Sequence, residues 1–331
     1  MSSTAAPGPA LRTLRDARDD ERAGRIGMAI EKYQSAIDAA IAAGDAPTQS
    51  EALRRLAVAM HRQLERGVAR ELCEQSFEVA HVIGDEALAA EALNTLGGFE
   101  LEAGQPGTAG DLFRRALTMS ADNPALLGRI EQNLGIIANI RGDLAAALAH
   151  YENSLAASMK ARDDSGCAIA YHNLGMISAD QHDWERADYY FDSSLALADS
   201  LGDVRLRGLC LLNRTEVFIA RQRFEEARVS AEDALRLFDE LNARAQKADA
   251  YKFLGVVYRE TGRSVLAEAR LTSAIALAAE CGSALGEAEA SRELAKLHQL
   301  MGRNQEALRL LNAARGLFVH LDARGDLRDV T

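Results

Sequence analysis

Proline, aromatic residues, paired cysteines and long apolar runs are all scarce in this chain, and each scarcity excludes something. Only five prolines occur among 331 residues, and aromatic residues make up 5% of the total. The bulk is Ala, Leu, Glu and Arg, all strong helix formers, so the composition argues for helix throughout. The four cysteines, Cys73, Cys167, Cys210 and Cys281, are far apart and form no Cys-x-x-Cys or Cys/His ligand spacing. They read as reduced thiols packed among helices in a cytoplasmic protein. No apolar run approaches the roughly 18 residues that a membrane span needs. Residues Met1 to Ala10 are small, include Pro7 and Pro9, and carry neither a basic stretch nor an apolar core of a signal peptide. The expectation is a soluble, intracellular protein with no membrane partner.

Chemistry is also missing. The sequence has no Gly-rich phosphate loop, no His-Glu-x-x-His, no Gly-x-Ser-x-Gly and no zinc spacing. The pairs Asp19-Asp20 and Asp163-Asp164 read as solvated charges rather than a metal site. No enzyme activity, cofactor or metal is expected. The net charge of −11 repels phosphate backbones, so nucleic acid is not an expected partner.

What is present is a repeat. Ala29, Ala69, Ala109, Ala147, Ala187, Ala227, Ala267 and Ala307 form a ladder with steps of 40 residues and one step of 38. Seven positions later stands a second column of small residues: Ala36, Ser76, Ala116, Ser154, Ser194, Ala234, Ala274 and Ala314. Seven residues is about two helical turns, so both columns lie on one face. Two helices that fold back on each other need small residues where their backbones come nearest. Between the two columns runs a mostly bulky one: Tyr33, Cys73, Phe113, Tyr151, Phe191, Ala231, Leu271 and Leu311. Its role is core packing.

Turn residues fall where this scheme needs them. Five residues before the ladder alanine stand Gly24, Gly104, Gly142, Gly262 and Gly302, with Leu64, His182 and Gln222 in the other repeats. Fifteen residues after it come Gly44, Gly84, Gly202, Asn242 and Gly282, with Arg162 and Asp322 elsewhere. Gly and Asn tolerate the left-handed conformation that ends a helix. Asp45, Asp85 and Asp203 are placed to cap the next helix, and Pro47, Pro106 and Pro124 sit at helix starts. First helices are predicted near 10–22, 47–62, 86–103, 124–141, 165–180, 204–220, 244–261 and 284–301. Second helices are predicted near 26–43, 66–83, 107–121, 144–161, 184–201, 224–241, 264–281 and 304–320. The expected domain plan is a disordered tail over 1–9, one repeat domain over 10–321, and a tail or truncated helix over 322–331.

With Tyr171, Leu174, Gly175, Ala187, Phe191 and Ser194, the fifth repeat resembles the tetratricopeptide repeat (TPR) family. Leu134 and Gly135, Leu254 and Gly255, and Leu96 and Gly97 repeat its Leu-Gly pair, while Ala17, Ala57, Thr215 and Ala295 depart from it. The usual proline at the repeat end is absent, and the period exceeds the usual 34. That longer class is similar to repeats in kinesin light chains, spindle-orientation adaptors and bacterial peptide-responsive regulators. The resemblance implies an all-α, right-handed α-solenoid of about eight helix–turn–helix repeats. It also implies that the first helices line a concave groove where a protein or peptide partner lies.

Asn133, Asn173 and Asn213 form a column beside the Leu-Gly position, and a carboxamide both donates and accepts. The resemblance implies that such a row pairs with the backbone of an extended peptide. The alternative is that each Asn bonds within the scaffold. Gln132, His172, Arg129, Met176, Glu216 and Lys252 occupy neighbouring groove positions. Arg15, Arg18, Arg22, Arg54, Arg55 and Arg62, with His61, make a basic end on an acidic protein. It is read either as a dock for an acidic segment or as surface arginines paired with Asp19, Asp20, Glu51 and Glu65. Three functions follow as expectations. One is a non-catalytic scaffold or adaptor for protein binding. Another is the regulatory input module of a bacterial signalling protein, whose cyclic-dinucleotide phosphodiesterase or cyclase domain would lie elsewhere. The third is a structural scaffold that self-associates through its C-terminal end, where Leu308, Leu311 and Phe318 need cover.

Overall fold

The computed structural model describes residues 8–120 and 122–320, and among them are sixteen α-helices and no strand. The first helices of the repeats are α1 (Pro9–Arg22), α3 (Ala46–Arg62), α5 (Glu86–Glu102), α7 (Pro124–Ile140), α9 (Asp164–Asp180), α11 (Val204–Ala220), α13 (Arg244–Glu260) and α15 (Ala284–Leu300). The second helices are α2 (Ile26–Ala43), α4 (Arg66–Val82), α6 (Pro106–Thr118), α8 (Leu144–Ala161), α10 (Trp184–Leu201), α12 (Phe224–Glu240), α14 (Ser264–Glu280) and α16 (Asn304–His320). The fold is an all-α helical-repeat solenoid. Pro9 already opens α1, one residue before the expected start, and the tail expected over 322–331 lies outside the described residues. The one sizeable shift is α6, which stops at Thr118 rather than 121. It lies in the repeat with the short step.

Two compact units divide the chain, residues 1–166 and 167–331, with the boundary inside α9. Within each unit the second helix of one repeat packs against the first helix of the next. Successive first helices also touch one another: α1 with α3, α3 with α5 and α5 with α7 in the first unit, α11 with α13 and α13 with α15 in the second. Successive second helices within a unit do not make comparable contact. Each unit therefore has its first helices on the tighter, inner side.

The ladder alanines are buried in every repeat, as are the eight small residues that follow them. The reason for the Leu-Gly pair is direct. A Cβ on Gly97 would lie 2.5 Å from the Phe113 ring, and one on Gly135 would lie 2.5 Å from the Tyr151 ring. On Gly175 it would lie 2.7 Å from Phe191, and on Gly255 it would lie 2.5 Å from Leu271. The bulky column thus presses onto bare backbone of the first helix. Where the glycine is replaced, the partner position shrinks in two of four repeats: Ala57 goes with Cys73 and Thr215 with Ala231, whereas Ala17 goes with Tyr33 and Ala295 with Leu311. Serines in the second column add a bond. Ser76 Oγ donates to the Ser50 carbonyl (2.8 Å), Ser154 Oγ to Gly128 (2.8 Å) and Ser194 Oγ to Ala168 (2.7 Å), each 26 residues upstream.

All eight positions five residues before the ladder alanines have positive φ, including Leu64 (65°), His182 (59°) and Gln222 (57°). Arg162 and Asn242 do the same at the second turn. Asp45, Asp85 and Asp203 cap as expected, accepting from the backbone N–H groups of Thr48, Leu88 and Leu206.

Adjacent glycines on α5 give a matched test. Gly97→Ala drives a methyl into a fully buried ring and should destabilise by about 1–2 kcal/mol in denaturant unfolding. Gly98 faces open space, so Gly98→Ala should stabilise by about 0.5–1 kcal/mol through helix propensity. Leu64→Gly should also raise Tm, because it removes an L-residue from a conformation that costs about 1–2 kcal/mol.

Candidate functional site

Packing occupies the faces between helices, so the inner edges of the first helices carry the side chains that are free to differ. In the first unit, α7 bears Arg129, Gln132 and Asn133. Asn133 Nδ2 donates to Asn94 Oδ1 on α5 at 3.0 Å. In the second unit, the Asn213 amide nitrogen on α11 lies 3.0 Å from His172 Nε2 on α9. Both are the same contact in register: the Asn column of one repeat reaches back to the column one position earlier in the preceding repeat. Asn173 is half-buried beside His172, and Met176 is exposed one turn further on. Asn133 and Asn213 thus tie successive first helices together while remaining on the inner edge.

Charge is arranged in the same lateral way in the first unit. Glu91 of α5 holds Arg54 of α3 at 3.5 Å and Arg129 of α7 on its other side. Burial pushes the Arg54 pKa down, with Glu91 opposing. Glu51 takes Arg18 from α1 at 3.4 Å and Arg55 at 3.8 Å. Glu21 accepts from Arg62 at 2.9 Å and from the Tyr33 hydroxyl at 2.6 Å. Arg22 meets exposed Asp19 at 3.4 Å, and Arg15 is exposed. Of the four acidic partners expected from sequence, Asp20 pairs instead with Arg25 and Lys32.

In the second unit, Glu216 and Lys252 come together in a cavity of about 290 Å³ between α11, α13 and α15. Phe253, Glu289, Arg292 and Glu293 also line it. Lys252 pairs with Glu289 and, at 3.4 Å, with Asp249. Burial pushes the Lys252 pKa down, but these two carboxylates outweigh it and leave it raised. Glu216 lines the cavity and is itself exposed. Desolvation by the surrounding walls raises its pKa, with Lys252 opposing.

Sequence reasoning missed Glu91, Asn94, Glu289 and Arg292. The signal was in the period: Asn94 and Arg292 share a column with Gln132, His172 and Lys252, and Glu91 and Glu289 share one with Arg129. Among the described residues, no group of three or more His, Cys, Asp or Glu side chains could hold a metal. Burial pushes the Cys73 thiol up to about 12 and the Cys210 thiol up to about 11, so neither supplies a thiolate at neutral pH. None of the described helices is long and apolar enough to cross a membrane. What the inner edges offer is fixed hydrogen-bond donors, acceptors and charges.

His172 gives a pH test of this arrangement. It is buried, and burial pushes its pKa below the usual value near 6.5, with Asn173 opposing, so the neutral ring accepts from Asn213. The unfolded chain therefore takes up the proton before the folded one does. Stability from this residue is present above about pH 6.5 and is lost as pH falls through and below it. Between pH 7.5 and pH 5, the Tm of wild type should fall further than that of His172→Gln, whose amide also accepts from Asn213.

The family model for the tetratricopeptide repeat matches residues 126–200 and 166–240. No curated protein matches the sequence. Among solved structures, the chain is similar to the apo quorum sensor NprR from B. thuringiensis, at 16% identity and a TM-score of 0.69, over 93% of this chain and 87% of that one. It is similar to a Rap protein complexed with Competence and Sporulation Factor, at 15% identity and a TM-score of 0.61, over 97% and 95%. It is also similar to PH0952 from Pyrococcus horikoshii, a signal transduction ATPase with a tetratricopeptide repeat sensor. That match has 15% identity and a TM-score of 0.70, over 97% of this chain and 49% of that one. The repeat register, the Gly-on-aromatic contacts and these likenesses agree: residues 126–240 match the tetratricopeptide repeat, and the described chain has the helical-repeat fold of tetratricopeptide-repeat solenoids.

Proposed function

We propose that this protein is a non-catalytic, cytoplasmic scaffold that binds a protein or peptide segment on the inner edges of its first helices. Asn133, Asn173 and Asn213 are its backbone-reading residues. The observation that carries the reading is the residual capacity of these amides. Asn133 and Asn213 each spend one N–H on the preceding repeat, which locks the carboxamide plane. Each retains a second N–H and a carbonyl oxygen. A half-satisfied, pre-oriented amide pairs with a peptide backbone at low entropic cost. Gln132, His172 and Met176 flank this row, and Arg129, Glu216 and Lys252 supply charge beside it.

A second reading, a sensory input module, is favoured by a specific likeness. PH0952 carries its tetratricopeptide repeat sensor within a larger signalling ATPase, and NprR is named as a quorum sensor. Binding on the inner edge would then be the input of a larger response. Both readings need the same contact, so one experiment addresses both.

Peptides selected from an unbiased displayed library against wild type should bind Asn173→Ala/Asn213→Ala at least tenfold more weakly in fluorescence anisotropy. Stability should fall by only about 1 kcal/mol for the lost His172 bond. Unchanged affinity in a folded double variant would sink the proposal.

A further inference from the structure

The arginines of the first two repeats form a cavity rather than a scattered surface. A pocket of about 290 Å³ between α1 and α3 is lined by Arg18, Glu21, Arg22, Arg55 and Arg62. The spacing explains the convergence. Arg15, Arg18 and Arg22 stand three and four residues apart and so share one face of α1. Arg55 and Arg62 stand seven apart and share one face of α3, against which α1 packs on the inner side. Four arginines against Glu21, Glu51 and Asp19 leave a local excess of one positive charge in a protein whose net charge is −11.

The resident carboxylates do not use up these donors. Glu21 is engaged by both Arg62 and the Tyr33 hydroxyl. Glu51 is shared, with Arg18 at 3.4 Å and Arg55 only at 3.8 Å, beyond hydrogen-bond reach. Arg55 Nε is buried without any hydrogen-bond partner. Each guanidinium has five N–H donors in a fixed fork, so the pocket holds a surplus of planar donors facing a small, wet space. A group that accepts from two forks at once is a carboxylate or another oxyanion.

We infer that this pocket is an anion-recognition subsite that receives the Asp or Glu side chains of an acidic peptide segment. It rests on the reading of the inner edge as the binding face, because the pocket lies between two first helices. A carboxylate seated here would accept from the guanidinium groups that line the pocket and relieve repulsion among Arg18, Arg22 and Arg55. Its attraction is largely electrostatic and is screened by salt over about 8 Å at physiological ionic strength. Carboxylates are chosen over phosphate because Glu21 lines the pocket and Glu51 and Asp19 pair with Arg18 and Arg22, so the remaining positive charge suits a singly charged group better than a dianion.

The test is isothermal titration of the full chain with a capped hexapeptide of alternating glutamate and aspartate. Its glutamine/asparagine counterpart and inorganic phosphate are the other two arms. The acidic peptide should bind, lose affinity steeply with added salt, and bind Arg18→Gln/Arg55→Gln at least tenfold more weakly. The pair Arg22→Gln/Arg62→Gln serves as an independent variant if the first does not fold, and should weaken binding likewise. Equal binding of the neutral peptide, unchanged affinity in a folded arginine variant, or tighter binding of phosphate than of the peptide would each overturn the inference. An acidic peptide that still binds while the library peptides ignore the asparagines would remove the backbone-reading row and leave this subsite standing.

Discussion

Two helices can fold back on each other only as closely as the side chains between them allow, and in this chain that distance is set by a methyl group or less. The ladder alanines are buried in all eight repeats. The bulky residue four positions on presses against a glycine backbone in four of them. The approach is tight enough that a hydroxyl can replace a methyl in the second small column, but only by bonding across the contact. Ser76, Ser154 and Ser194 each use a carbonyl that already closes a helical hydrogen bond and still has a lone pair to offer. In the sixth repeat volume is conserved across the pair rather than at either position, since Thr215 stands opposite the column's smallest member, Ala231.

Turn geometry follows from the same closeness. Two- and three-residue connections reverse the chain here by turning one residue left-handed, whatever its side chain. Among the described residues nine glycines adopt that conformation, and so do Leu64, Arg162, His182, Gln222 and Asn242. For four of those five the backbone strain has no local compensation in residue type, since only Asn is at ease there. It is sustained by the packing of the helices on either side, and so fold strength lies in the interfaces and not in the loops.

Because the packing period is so regular, most of the fold was legible without coordinates. Every predicted turn position among the described residues has positive φ, and most helix ends fall within a residue of expectation. Helix α6 is the exception. Its repeat is two residues short, and the Ser120 carbonyl and the Asn123 cap take over the backbone bonding before Pro124, so the helix ends early. The candidate site was less legible, for a physical reason. Periodicity reports which face a residue occupies but not whom it meets sideways. The Asn column could be seen, yet Asn94 could not, because its own column holds Gln132, His172 and Lys252, which share polarity but not identity. Likewise the arginine partners were sought along one helix, whereas Arg18 and Arg62 cross between α1 and α3 to reach Glu51 and Glu21.

These lateral bonds connect structure to function. Residues on the inner edge are released from the volume constraint that governs the helix–helix faces, so their chemistry can change from repeat to repeat at little cost to stability. The first unit uses that freedom for guanidinium–carboxylate pairs and an amide pair, and the second for an amide–imidazole pair and a mixed-charge cavity. In each case one first helix holds the side chain of the next in place, so groups that face outward are also oriented before any partner arrives. Pre-orientation of partly satisfied polar groups is what separates a recognition surface from a merely polar one. Here it arises from the same stacking that builds the core, so the fold and its candidate binding face have one physical origin.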